Sequence, residues 1–123
     1  MRQLIKTFKA ISDETRLRML NIVAERECCV CEVMQALDIS QTRASRNLSS
    51  LYDAGFLKFR RDGLWALYSI DKGNQTIAYQ ELIEIVRKAL ADNDIAKLDI
   101  KRLGHAKRVR PECSSQLVKL ASS

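Results

Sequence analysis

Residues 39–70 read ISQTRASRNLSSLYDAGFLKFRRDGLWALYSI, and two signals within that stretch decide the fold. The first is a short helix. Ser40 is placed to cap it, Ala44, Leu48 and Leu51 share one face by their i, i+4, i+7 spacing, and Gly55 stands where a helix terminator belongs. The second is a hairpin. Runs at 56–61 and 64–70 flank Asp62-Gly63, among the strongest two-residue turn signals, and predict a β-ribbon carrying Lys58, Arg60 and Arg61.

The face of the helix opposite its apolar stripe is polar in a particular way. At about 100° per residue, Thr42, Arg46 and Ser49 lie nearly opposite Ala44, with Arg43 and Ser45 on the flanks and Ser40 and Gln41 at the start. No acid occurs from Ser40 to Ser50, whereas a merely solvated helix usually mixes Glu with Lys. Such a stripe supplies donors to base edges and phosphates, which makes Ser40, Gln41, Thr42, Arg43, Ser45, Arg46 and Ser49 candidate DNA-binding residues. Arg60 and Arg61 on the ribbon are candidates for phosphate or minor-groove contact, with plain solvation as the alternative. Trp65 is expected to pack under the hairpin rather than against a base.

Working outward, Leu4, Ile5, Phe8 and Ile11 form a helical stripe, and Ser12-Asp13 caps a second helix carrying Leu17, Leu20 and Ala24. Val33, Met34 and Leu37 mark a brief third helix ending near Asp38, with Ile39-Ser40 as the turn into the fourth. Beyond the hairpin, a long helix over about 75–91 has apolar residues on more than one face. That excess makes it and the first helix the candidate homodimer surface. A further amphipathic segment at 93–103 carries Ile95, Leu98 and Ile100, and after Gly104 the pattern dissolves into a basic stretch with Pro111 and Cys113. The domain reading is therefore 1–103 for DNA binding and dimerisation and 104–123 for a basic, flexible tail. Helix, helix, helix-turn-helix, hairpin and long helix make up a winged helix-turn-helix, a mainly α (α+β) fold with the β-hairpin as its wing.

Composition agrees. A length of 123 residues suits one domain, and 21 Lys and Arg against 15 acids, a net +6, favour a polyanionic partner. No signal peptide and no membrane span of ~20 apolar residues is seen, so a cytoplasmic protein with no membrane partner is expected.

Three of the 4 cysteines fall at Cys28, Cys29 and Cys31. Adjacent cysteines in a chain without a leader imply a reducing compartment, where thiols remain available for metal or redox chemistry. Clustered soft sulfurs without His favour an all-sulfur site. Three sulfurs suit As(III) or Sb(III), whose lone pair prefers pyramidal coordination, while Cd(II) or Pb(II) more often wants a fourth ligand. On an ideal helix the three would spread over an arc of about 160°, too wide to converge, so capture would need an irregular helix start and would pull on the helix-turn-helix. Cys113 is an alternative ligand, because the nine residues after Gly104 span up to ~30 Å. A thiol enzyme is disfavoured, since the cysteines lack a thioredoxin-like βαβ context.

Several strings also resemble a known family. Residues 8–20, FKAISDETRLRML, resemble the opening signature of the ArsR/SmtB family of metal-responsive repressors; 39–48 and 51–57 resemble its recognition helix, and 62–68, DGLWALY, its wing. Residues 27–33, ECCVCEV, resemble the metal-binding box of the family's arsenic, antimony, cadmium and lead sensors, with Cys29 and Cys31 on its two cysteines. Met34 stands where the best-known arsenic repressors have a third cysteine, and Cys28 adds a sulfur on the other side. The family's zinc and nickel sensors use His on the long helix, and 75–91 contains none; its cadmium and lead sensors draw cysteines from an N-terminal arm, and 1–27 contains none. The resemblance implies a repressor, not an enzyme, that binds an inverted repeat of operator DNA as a homodimer. As(III) or Sb(III) bound at Cys28, Cys29 and Cys31 would be the inducer that releases it. The alternatives are a Cd(II)- or Pb(II)-responsive repressor and a thiol redox sensor on the same fold.

Overall fold

The computed structural model describes residues 1–73 and 77–109. Helices α1 (Arg2–Ile11) and α2 (Glu14–Glu25) lead into a two-residue strand, β1 (Cys28–Cys29); then follow α3 (Val30–Leu37), α4 (Gln41–Asp53), β2 (Leu57–Asp62), β3 (Trp65–Ile70), α5 (Ile77–Leu90) and α6 (Asp94–His105). Each expected helix of the DNA-binding half is present, and its boundaries have local causes. The Asp13 carboxylate accepts from Arg16 N–H (3.0 Å) at the start of α2, and Ser40 Oγ accepts from Arg43 N–H (3.2 Å) at the start of α4. Asp38 ends α3 in the left-handed region (φ 55°), so three residues turn the chain from α3 into α4. Gly55 (φ 94°) closes α4, and a Cβ there would lie 3.2 Å from the Tyr79 hydroxyl.

Ala44, Leu48 and Leu51 are fully buried, together with Leu20, Ile22, Val33 and Phe56, so the core lies where α2, α3 and α4 meet. The sheet runs β1-β3-β2, antiparallel throughout, with Cys28 opposite Tyr68 and Cys29 opposite Leu67.

Three expectations need adjustment. The hairpin turn is Gly63-Leu64, because Asp62 pairs with Trp65; the positive φ of 62° falls at the first central position, as a II′ turn requires. Helix α3 begins at Val30, three residues before the expected apolar run. The buried face of α6 is Ala96, Asp99 and Leu103, whereas Ile95 and Leu98 are 47% and 43% exposed. Asp99 can go inside because Arg18 meets both its oxygens, at 2.9 and 2.8 Å, and Arg18 also donates to Leu37 O (3.1 Å), which fastens α6 to α2 and α3.

The tail drawn from Gly104 begins within α6, and residues 106–109 lie back on α3 and the wing. Gln75, Pro111 and Cys113, all singled out in the sequence, fall outside the described residues.

Candidate thiol site and nucleic-acid interface

Strand alternation sorts the cysteines. Successive residues of a strand face opposite sides, and Cys28 joins the main core beside Tyr68, while Cys29 packs with Cys31, Leu67 and Trp65 in a separate cluster under the wing. The three are buried and none is joined in a disulfide. Because Cys28 and Cys29 lie in β1 and Cys31 in the first turn of α3, the three do not share one helix, and the pair that comes together is Cys29 with Cys31. Cys28 Sγ donates to Arg26 O (3.1 Å) on the other side. Among the described residues no three His, Cys, Asp or Glu side chains are gathered to hold a metal ion.

Burial pushes the Cys28 thiol up to about 12 and the Cys29 thiol to about 11, the latter against the pull of the Glu32 N–H. Both are thiols, not thiolates, at neutral pH. A thiol-specific ligand therefore has to take the sulfurs by displacing protons, and attack on peroxide by a pre-formed thiolate is disfavoured.

Glu32 organises this site, and sequence reasoning passed over it. Its side chain is 4% exposed. Its carboxylate accepts from Cys29 N–H (3.0 Å), from Arg26 Nη1 (2.7 Å) and from Arg108 Nε (3.3 Å). Burial alone would raise its pKa, but the Cys29 N–H and Arg26 outweigh it and hold the carboxyl below its ordinary range. Cys29 is the N-cap of α3 and Glu32 is at N3, so sulfur occupies the Ser or Thr position of a capping box. The Cys-x-x-Glu spacing was the available signal.

A strap closes over the pair. The Gln35 side chain exchanges two hydrogen bonds with the Lys107 backbone (2.8 and 3.1 Å). Arg108 reaches Glu32 and Asp62 (3.9 Å) and stacks 5.9 Å from the Trp65 ring centre. Trp65 Nε1 donates to Val109 O (3.0 Å). Trp65 thus packs under the hairpin as expected, with one side on the thiol pair.

On the DNA-binding side, Thr42, Arg43, Arg46 and Ser49 are exposed on α4, Ser45 is half-buried, and Ser40 is exposed while capping the helix. Arg43 Nη2 also donates to Thr15 Oγ1 (2.9 Å), and Asn47 accepts from Arg16 (3.2 Å), which orients α4 on α2. Gln41 points inward: it is 6% exposed, its Nε2 donates to Ser45 Oγ (2.7 Å), and its Oε1 has no partner. On the wing Arg61 is exposed, while Arg60 is clamped by both Glu27 oxygens (3.0 and 2.8 Å), tying the wing to the residue just before the cysteines.

A helix-turn-helix with a polar, acid-free outer face, flanked by a β-hairpin and joined to a buried thiol pair, defines a winged-helix transcriptional regulator. Residues 13–58 match the family description "Bacterial regulatory protein, arsR family". Over 91 residues the chain is 40% identical to the "Arsenic resistance transcriptional regulator ArsR2" of Pseudomonas putida, an alignment spanning 70% of this chain and 78% of that one. It is 47% identical over 64 residues to that organism's "Arsenic resistance transcriptional regulator ArsR1", covering 51% of this chain and half of the relative's length (50%). Among solved structures, the homodimeric winged helix-turn-helix DNA-binding domain Mb0332 of Mycobacterium bovis, described as a possible ArsR-family transcriptional regulator, superposes with a TM-score of 0.62 at 26% identity, over 76% of this chain and 82% of that one. The chain belongs to the ArsR family, whose members are transcriptional regulators and not enzymes. No helix among the described residues is long and apolar enough to cross a membrane.

Proposed function

We propose that this chain is a metalloid-responsive repressor: in the cytoplasm a homodimer binds an inverted repeat of operator DNA and is released when As(III) or Sb(III) is taken by cysteine thiolates. The observation that carries this reading is the Cys29–Cys31 pair, buried together at the N-terminus of α3, the first helix of the helix-turn-helix. The donor set fits the ligand class: a pair of soft sulfurs suits a thiophilic trivalent ion. The relatives' names as arsenic resistance regulators support the same class.

Cys28, the third sulfur expected from the sequence, reaches the pair only if β1 leaves its register with Tyr68 and Leu67. Cys29 and Cys31 would hold the trivalent ion, which would supply bonds to their sulfurs; the chain's residues supply the protonated thiols, the Glu32 cap and the coupling to α3. Dimerisation has a physical basis in the apolar side chains left in solvent on α1, Leu4, Ile5 and Phe8, and in Ile85 of α5, 61% exposed. Tyr79 of α5 bonds Thr7 of α1 (2.9 Å) and holds the two helices together.

A gel shift with operator DNA tests the reading. Arsenite should release the wild-type protein and fail to release Cys29→Ser or Cys31→Ser. An operator complex insensitive to arsenite and antimonite would overturn it.

A further inference from the structure

We propose that the Tyr79 hydroxyl is a positioning group for operator binding: it sets the angle of recognition helix α4 against α1 and α5, and so the separation of the two recognition helices in the dimer. The inference rests on the dimeric DNA-binding part of the reading above and is independent of the inducer.

Helix α4 is held differently along its length. Its first half is tied to α2, where Arg43 Nη2 donates to Thr15 Oγ1 (2.9 Å) and Arg16 Nη1 donates to Asn47 Oδ1 (3.2 Å). Its C-terminal end is tied to α5 and α1. The last carbonyls of a helix have no partner within it, and Ala54, the C-cap of α4, is 1% exposed, so its carbonyl must find a donor in the protein. Tyr79, in the first turn of α5, donates its single proton to Ala54 O (2.9 Å). The same phenol oxygen accepts from Gln3 Nε2 (3.1 Å) and meets the buried Thr7 Oγ1 at 2.9 Å, both on α1. One hydroxyl therefore joins three helices.

The neighbouring residues are fitted to it. A Cβ at Gly55 would lie 3.2 Å from the hydroxyl, so glycine there lets the phenol approach the end of α4. The fully buried Phe56 ring packs edge-on against Tyr79 with centres 5.1 Å apart. Packing thus fixes the ring, and the hydroxyl fixes what the ring holds. The Gln3 amide, 3.4 Å from Ala54 O, is too far to take over the bond at full strength.

The two helices that meet at Tyr79 also present Phe8 and Ile85 to solvent, the residues assigned above to the dimer contact. Tyr79 is therefore the joint between the dimer frame and the recognition helix. A joint of this kind matters when two half-sites are read together, and not when one α4 reads one half-site.

Tyr79→Phe in the full-length chain keeps the ring and removes the joint. The probe is an inverted-repeat duplex selected from random DNA by the wild-type protein, with versions carrying one base pair more or fewer between the half-sites, and a duplex holding a single half-site. By fluorescence anisotropy, wild type should prefer the selected spacing by about tenfold or more. Tyr79→Phe should bind that duplex about tenfold more weakly, bind the spacing variants within about twofold of it, and bind the single half-site as wild type does, while sedimentation shows the same dimer. Thr7→Val should weaken binding about threefold and add nothing to Tyr79→Phe, because both act through one hydroxyl. A spacing preference retained in Tyr79→Phe, or an equal loss on the single half-site, overturns the proposal. Amide hydrogen exchange over residues 51–56 gives a readout without DNA: it should quicken in Tyr79→Phe, and unchanged exchange overturns the proposal. Quickened exchange in a protein whose selection yields no inverted repeat would instead sink the dimeric DNA-binding reading and leave Tyr79 as the anchor of α4.

Discussion

Replacing Glu32 by Gln keeps the shape of the side chain and removes its charge. The carboxylate serves the Cys29 N–H, Arg26 and Arg108 from a position 4% exposed, but the two guanidiniums are 37% and 32% exposed and recover much of their solvation when released. A charge-assisted hydrogen bond contributes about 1.5–3 kcal/mol when buried, and exposed pairs are worth less than about 1. The amide oxygen of Gln still accepts from Cys29 N–H. The expected loss is therefore about 1–2 kcal/mol, a fall in Tm of roughly 3–8 °C for a domain of this size.

The pH dependence has a definite sign. Glu32 titrates below its unfolded value of about 4.3, so its stabilisation is whole above that pH and disappears as pH falls through the folded value. Wild type and Glu32→Gln should differ at pH 7 and converge in acid. Urea unfolding followed by Trp65, the chain's only tryptophan, measures this, and the same emission reports loosening of the strap that Trp65 anchors. A variant within about 0.3 kcal/mol of wild type at pH 7, with unchanged emission, would refute Glu32 as the organiser of the site.

Protonated thiols separate the ligand classes. With Cys29 protonated up to about 11, a divalent cation must expel a proton from it, and affinity should climb about tenfold per pH unit for each such thiol. Arsenous acid carries the proton away as water, so its affinity should stay flat from about pH 6 to 8; titrations quenching Trp65 would show which holds. Phe8→Glu together with Ile85→Glu should yield a monomer by sedimentation, with operator affinity down about a hundredfold or more because two half-sites are no longer held together. Arg46→Ala removes an exposed guanidinium from the outer face of α4 and should weaken operator binding by about 1–3 kcal/mol, read by fluorescence anisotropy.

Local rules made the helix-turn-helix legible. The caps at Asp13 and Ser40, the stripe Ala44, Leu48, Leu51 and the terminator Gly55 each act within a turn or two of chain, so the sequence carries them openly. What stayed hidden was decided by distant partners. Helical arithmetic over Cys28, Cys29 and Cys31 assumed one helix, but pairing with Tyr68 and Leu67 pulls the first two into a strand and alternation sends them to opposite sides. Periodicity put Ile95 and Leu98 inward, yet Arg18 makes a buried place for Asp99 and rotates α6 away from them. The strap has no periodic signature at all, because side chains of Gln35, Glu32 and Trp65 hold it by hydrogen bonds and charge.

The arrangement of restraints also decides where a change at the thiols is felt first. Recognition helix α4 is rooted by Ala44, Leu48 and Leu51, all fully buried, and displacing it would cost core packing worth several kcal/mol. The wing is rooted less firmly. Most of β2 is exposed; β3 is tied to the thiol region by its pairing with β1, and the side-chain links to the wing are the Glu27–Arg60 clamp, the Arg108–Asp62 contact and the Trp65 hydrogen bond to Val109. Exposed pairs of this kind are worth less than about 1 kcal/mol each. A ligand that draws sulfurs together beside Trp65 therefore meets its smallest resistance in the wing and the strap. On the proposed reading, the expected outcome is that α4 keeps its seat while the flanking contacts of Arg60 and Arg61 shift first, so that arsenite should alter hydrogen exchange in β2 before it alters exchange in α4.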